Sequence, residues 1–207
     1  MSDGREDAAA APRFQEPDEV PHSHHTALPQ TAPSRAIDKG LTLLGKAFSW
    51  LWLVVVGVII YAVVGRYAFG QGSVGLEEWQ WHLASAAWLV GLAYVVVTDD
   101  HVRVDIIHER MSLKTQAWIE LFGLLVLLGP FLVLAIYEAW PYAYSSYLQD
   151  ERSQAPAGLA NRWILKFVLT AAFVLLLVAA VSRLMRVTAL LFGVPSPKAI
   201  DDQRETG

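Results

Sequence analysis

Four long runs of apolar residues, separated by short polar connections, dominate the hydropathy pattern of this chain. They cover about residues 47–65, 79–98, 118–140 and 163–181. Each run approaches the ~20 residues that a helix needs to cross a hydrocarbon layer roughly 30 Å thick. The pattern therefore predicts an all-α integral membrane protein with four transmembrane helices, and it leaves little polar chain in which a soluble enzyme could fold.

The two ends of the chain are polar. Residues 1–36 are rich in proline and charge and contain few large apolar side chains. Such a composition cannot offset the entropy lost on ordering, so we expect a disordered cytoplasmic arm there. A secretory signal would place its apolar core within this segment, and the segment has none. The rest of the chain is expected to divide into a membrane domain at 37–192 and a cytoplasmic tail at 193–207.

The distribution of Lys and Arg near the span ends predicts the orientation. One side of the membrane would carry eight of them: Arg35, Lys39, Lys46, Arg103, Arg110, Lys114, Arg183 and Arg186. The opposite side would carry four: Arg66, Arg152, Arg162 and Lys166. Because cytoplasmic flanks are enriched in these residues, we expect both termini in the cytoplasm.

The connection from Asp99 to Ala117 has helical character of its own. Val104, Ile107 and Met111 recur at helical spacing among charged residues. This pattern favours a short helix that lies in the cytoplasmic interface between the second and third spans. Ser112 follows it and is a candidate N-cap for the third span.

A string of acids around a histidine, Asp99 to Asp105, opens that connection. Carboxylate and imidazole groups are good metal ligands, so the string could hold a metal ion. The alternative is structural: Arg103 pairs with a neighbouring acid and fixes the angle of the interfacial helix. We favour the structural interpretation, and we assign His101, Arg103 and Asp105 to an interface with lipid or a partner.

A second group of polar residues lies where the first two spans meet. Glu77 and Glu78 open the second span, and Arg66 ends the first span on the same side. An ionisable residue in a span is by default a functional hypothesis, because its burial is expensive. We interpret Arg66, Glu77 and Glu78 as a polar clamp between helices, with a proton or ion relay through His82 as the alternative.

Composition excludes several kinds of site. The chain has no cysteine, which rules out disulfides, thiolate metal sites and iron–sulfur ligation. A haem bound through His82 would need a second histidine at matching depth on a facing span, and the sequence offers none. We therefore expect neither an enzyme nor a cofactor, and we identify no catalytic, cofactor-binding or metal residue and no nucleic-acid partner.

Taken in order, these motifs resemble the small membrane (Q-type) subunit of tripartite ATP-independent periplasmic (TRAP) transporters. The resemblance covers about residues 40–190. It depends on the four spans, the Glu77–Glu78 pair, Gly91 in the middle of the second span and the His-Val-Arg-Val-Asp string at 101–105. The long third connection, with Gly158 followed by leucine, is similar to that of the branch assigned to mannitol or chloroaromatic compounds.

The resemblance implies a function and a set of partners. The chain would lie in the bacterial inner membrane beside a large membrane subunit that carries the substrate and sodium sites. A periplasmic binding protein would deliver an organic acid. The small subunit would enlarge and anchor the static scaffold and offer a docking surface. The alternative from another class is a membrane anchor of a haem- or quinone-linked redox enzyme.

Overall fold

The protein, represented by a computed structural model, is described over residues 28–100 and 111–194. Its helices are α1 Ala32–Ser49, α2 Leu51–Phe69, α3 Val74–Thr98, α4 Leu113–Phe122, α5 Gly129–Leu148 and α6 Trp163–Phe192, with a π-helical segment Gly123–Leu128 between α4 and α5. No β-strand occurs in these residues, and the all-α prediction is confirmed. Four helical stretches within them are long and apolar enough to cross a membrane.

The first span begins earlier than the apolar pattern predicts. A capping box starts α1: the Thr31 hydroxyl accepts from the Ser34 N–H at 3.3 Å, and the Thr31 N–H donates to the Ser34 hydroxyl at 3.1 Å. Helix α1 therefore starts inside the segment 1–36 that composition assigns to the arm. Local capping chemistry starts a helix at Ala32, although the apolar run begins only near residue 47.

α1 packs along the last turns of α3, where a glycine allows a close approach. A Cβ atom at Gly45 would lie 2.7 Å from the Cβ atom of Tyr94. One turn earlier, the buried Leu41 packs against Ala93 of α3 and Ala179 of α6. The small residues on all three helices let their axes come close together.

Leu28, just before α1, is also part of the core. It is buried with Ala117 and Leu121 of α4 and Val187 of α6. This position falls inside the segment that composition assigns to the arm. A single large apolar side chain is too weak a compositional signal to reveal such an anchor.

The third span is one long helical stretch with a local change of hydrogen bonding. It begins after Ser112, whose hydroxyl accepts from the Thr115 N–H at 3.3 Å, so the predicted N-cap is confirmed. Further along, Gly129 donates its N–H to Leu124, five residues earlier. The next residue, Pro130, has no N–H and crowds the preceding turn, which accounts for the π-helical segment just before it.

The fourth span starts at Trp163 as predicted but ends at Phe192, well beyond residue 181. The apolar run stops at Arg183, whereas the helix continues because this charge is paired inside the bundle. The predicted interfacial helix falls on residues 101–110, which lie outside the described residues. We call the end of the bundle with residues 70–73 and 149–162 the loop end, and the end where α1 begins and α6 ends the terminal end.

Candidate functional site

At the loop end, Glu78 of α3 binds the connection between α5 and α6. Its carboxylate accepts the backbone N–H of Leu159 at 2.6 Å and the hydroxyl of Ser153. Gly158 makes room for this contact, since a Cβ atom there would lie 3.0 Å from Glu78 Oε2 and 2.5 Å from Ser153 Cβ. The loop is thereby fastened to the second turn of α3.

The same loop is folded back on itself. The Ser153 N–H donates to the Leu159 carbonyl at 2.9 Å. Three non-glycine residues adopt left-handed backbone angles, with φ of 44°, 60° and 64°: Asp150, Ala157 and Asn161. Such angles are costly for residues with a Cβ atom, so surrounding contacts hold the loop in this one shape.

A second carboxylate fastens the loop to α5 and α6. Glu151 accepts from the Ser146 hydroxyl and pairs with Lys166. The Lys166 ammonium also lies 3.9 Å from the centre of the Tyr142 ring, which is cation–π range. The hydrogen bond from Lys166, followed by that from Ser146, lowers the pKa of Glu151 below its usual value.

The first two spans meet at the loop end, where the sequence predicts a polar clamp. Arg66 pairs with Glu77, and the two side chains are 51% and 46% exposed. Glu78 takes no part in this pair because its carboxylate is directed to the loop. His82 hydrogen-bonds within its own helix, with Nδ1 2.8 Å from the Glu78 carbonyl oxygen.

At the terminal end, a buried arginine joins three helices. Arg183 of α6 pairs with Glu120 of α4, and its Nη1 lies 3.0 Å from Asp99, which caps α3. The Arg183 side chain is 5% exposed, so the two carboxylates must offset its desolvation. We call Asp99, Glu120 and Arg183 the terminal-end cluster.

The first helix is attached next to this cluster. Asp38 of α1 accepts from the Ser182 hydroxyl at 2.5 Å, and the Arg186 Nη1 lies 3.9 Å from the same carboxylate. The sequence analysis does not predict these contacts. It considers Asp99 only together with the neighbouring residues up to Asp105, and it counts Arg183 and Arg186 only as charges that flank the fourth span. The available signal was that acids and arginines fall at the same end of different spans.

The remaining predicted site residues are not placed. His101, Arg103 and Asp105 lie outside the described residues. Within residues 28–100 and 111–194, no group of three or more His, Asp or Glu side chains is arranged to hold a metal ion.

The family model described as "Tripartite ATP-independent periplasmic transporters, DctQ component" matches residues 55–190, more than half of the chain. The chain belongs to this family. A search of the curated proteins finds no match. DctQ components are parts of transporters and not a class of enzyme, and membership implies a large membrane subunit and a periplasmic binding protein as partners.

The DctQ match also places the two sets of contacts. It begins within α2 and includes the loop end and the terminal-end cluster, whereas α1 with Asp38 lies before it. Together with the four long apolar helices, the family identifies a multi-pass protein of the inner membrane.

Proposed function

We propose that this DctQ chain is the scaffold subunit of a sodium-coupled, binding-protein-dependent organic-acid transporter. In this role it stabilises the large transport subunit and docks the binding protein. The observation that carries the proposal is the terminal-end cluster, where Arg183 ties α3, α4 and α6 together through buried ion pairs. Ion pairs of this kind hold three helices in one arrangement, as a part of a transporter that does not move during transport requires.

The exposed surface of the spans supports an assembly role. Large apolar side chains project from the outer faces of the bundle: Val54, Ile60, Leu127, Phe131 and Leu134 are among the exposed ones. In a bilayer, such faces contact either lipid tails or the helices of another subunit. A large membrane partner would cover part of this surface.

The loop end is the proposed docking surface for the binding protein. Glu78 and Glu151 hold the connection 149–162 in one shape on the ends of α3, α5 and α6. A preformed surface loses little conformational entropy when a partner binds. The resemblance to TRAP transporters, in which a binding protein delivers an organic acid, supports an organic acid as the solute.

The other site residues predicted from the sequence keep their proposed roles. Arg66 and Glu77 clamp the first two spans, whereas His101, Arg103 and Asp105 hold the interfacial segment against lipid and partner. Arg103 can bind a carboxylate and a lipid phosphate with its planar fork, which lysine cannot reproduce. Arg103→Ala should lower the yield of intact complex, with little change in solute affinity for the complex that survives.

The direct test is reconstitution into liposomes. With the large subunit and the binding protein present, an inward sodium gradient should drive organic-acid uptake, and omitting this chain should abolish it. Solute-specific uptake by the isolated chain would overturn the scaffold role. The redox-anchor alternative receives no support from the family match, and a haem absorbance band in the purified chain would revive it.

Orientation can be tested separately because the chain has no cysteine of its own. We propose that the loop end is periplasmic and the terminal end cytoplasmic. Cysteines at the exposed positions Gln71 and Gln154 should react with an impermeant reagent added to intact cells, whereas one at Lys114 should not. If only the cysteine at the Lys114 position were labelled, the chain would have the opposite orientation.

A further inference from the structure

A groove of about 510 Å³ lies between α3 and α6 at the loop end. Arg162 and His82 line its polar part, Trp81 and Trp88 line α3's side of it, and Leu165 and Leu169 line α6's side. Arg162 and Leu169 are seven residues apart, so the groove descends about 10 Å along α6 from the membrane boundary.

The guanidinium of Arg162 is available at the top of this groove. It is exposed and makes no side-chain hydrogen bond or ion pair within the described part of the chain. The other two cations of the region are engaged, since Arg152 pairs with Asp150 at 2.8 Å and Lys166 with Glu151. Arg162 therefore offers its planar N–H groups to water or to an anion.

The carboxylates near Arg162, those of Glu78 and Glu151, interact with its charge but make no hydrogen bond to it. Glu78 is bound by the Leu159 N–H and the Ser153 hydroxyl, and Glu151 by Lys166 and the Ser146 hydroxyl. An oxyanion that reached Arg162 from the membrane boundary would meet a cation without a fixed hydrogen-bond partner. Arginine binds the phosphodiester oxygens in a bidentate geometry, which makes such a pair both strong and oriented.

We propose that this groove binds one glycerophospholipid from the leaflet at the loop end. The phosphodiester lies on Arg162, and one acyl chain runs down the groove over Leu165 and Leu169. Trp81 flanks the acyl chain near the interface, where indole rings are favoured, and Trp88 flanks it about 10 Å deeper along α3. This binding site is additional to the scaffold role and does not depend on it.

A helix of the large subunit is the competing occupant. At this depth a transmembrane helix presents mostly apolar side chains, and it would cover Arg162 without neutralising it. In any bilayer, by contrast, lipid phosphates lie at the membrane boundary, which is where α6 begins and Arg162 is located. Charge complementarity therefore favours the lipid over the helix.

The first experiment identifies the occupant in the assembled complex. A photo-crosslinking amino acid is introduced at Ser85, which lines the groove. After irradiation in native membranes, mass spectrometry should find a phospholipid attached to this position. Attachment to the large subunit, or a lack of any attached lipid, would overturn the proposal.

The second experiment tests the headgroup contact with matched variants. Arg162→Ala and Leu169→Trp should each lose the phospholipid that the wild-type complex retains through detergent purification, as counted by native mass spectrometry. Arg152→Ala, in the same loop but outside the groove, should retain it. Equal retention by Arg162→Ala and Arg152→Ala would refute binding at Arg162.

Discussion

The backbone N–H of Leu159 donates a hydrogen bond of 2.6 Å to the carboxylate of Glu78, which lies 81 residues earlier in the chain. This contact joins the connection between α5 and α6 to the start of α3. One side chain thus fixes the position of the surface that we propose for the binding protein.

Removing the charge at Glu78 should loosen this loop. Glu78→Gln weakens the hydrogen bonds from Leu159 and Ser153, because charge-assisted bonds are the stronger kind. Trypsin should then cleave after Arg152 several-fold faster in the purified chain. The adjacent Glu77→Gln is the matched control and should change little, since its pair with Arg66 is about half exposed. If Glu77→Gln increased the cleavage rate more than Glu78→Gln, Glu78 would not be the residue that holds the loop.

The terminal-end cluster should be a large contributor to stability. Arg183→Met keeps most of the side-chain volume but leaves Asp99 and Glu120 without their buried cation. Breaking a buried pair by removing one partner costs about 3–5 kcal/mol. The melting temperature in detergent should fall markedly, whereas Arg152→Met, which breaks an exposed pair, should leave it nearly unchanged. Equal melting temperatures for the two variants would show that the cluster is solvated.

The close approach of α1 to α3 should tolerate no added methyl group at Gly45. Gly45→Ala places a Cβ atom against the ring of Tyr94, and overpacking of this kind costs about 1–3 kcal/mol. Gly40→Ala on the same helix meets nothing within 4 Å, so it should stabilise α1 by about 0.5–1 kcal/mol. The melting temperatures of the two variants test this prediction. A lower melting temperature for Gly40→Ala than for the wild type would contradict it.

The loop should also weaken in acid. Because the hydrogen bond from Lys166 lowers the pKa of Glu151 below 4.5, the bound form is the carboxylate. The carboxylate's contribution to the stability of the loop is complete above the ordinary pKa of a glutamate. It is lost as the pH falls through the lower pKa that Glu151 has in the folded protein. Hydrogen–deuterium exchange of the backbone amides in this loop, normalised to the intrinsic exchange rate at each pH, should increase as the pH falls from 7 to 3.

Glu151→Gln provides the control for that titration. This variant should exchange its loop amides faster at neutral pH and should lose part of the acid-dependent increase, because the Glu78 carboxylate holds the same loop. If the loop loosened with the same dependence on pH in the wild type and the variant, a group other than Glu151 would be responsible for the loosening.

The sequence alone determined that this chain is an all-helical membrane protein with four spans. Hydropathy over about 20 residues is a local property, and a bilayer imposes helices on apolar segments of that length. The Ser112 cap and the start of the fourth span at Trp163 were equally local, because each depends on residues within one helical turn. The family resemblance also came from short motifs in a fixed order.

Only the tertiary structure decided how the polar residues pair. Glu78 could have bound Arg66 on local grounds, but its partner is the backbone of Leu159, because the path of a distant loop brings that N–H to the carboxylate. Arg183 appeared to end the fourth span, yet the helix continues through it since Asp99 and Glu120 meet it from other helices. Hydropathy reports the cost of burying a charge, whereas the packing of distant segments determines whether a counter-charge offsets that cost.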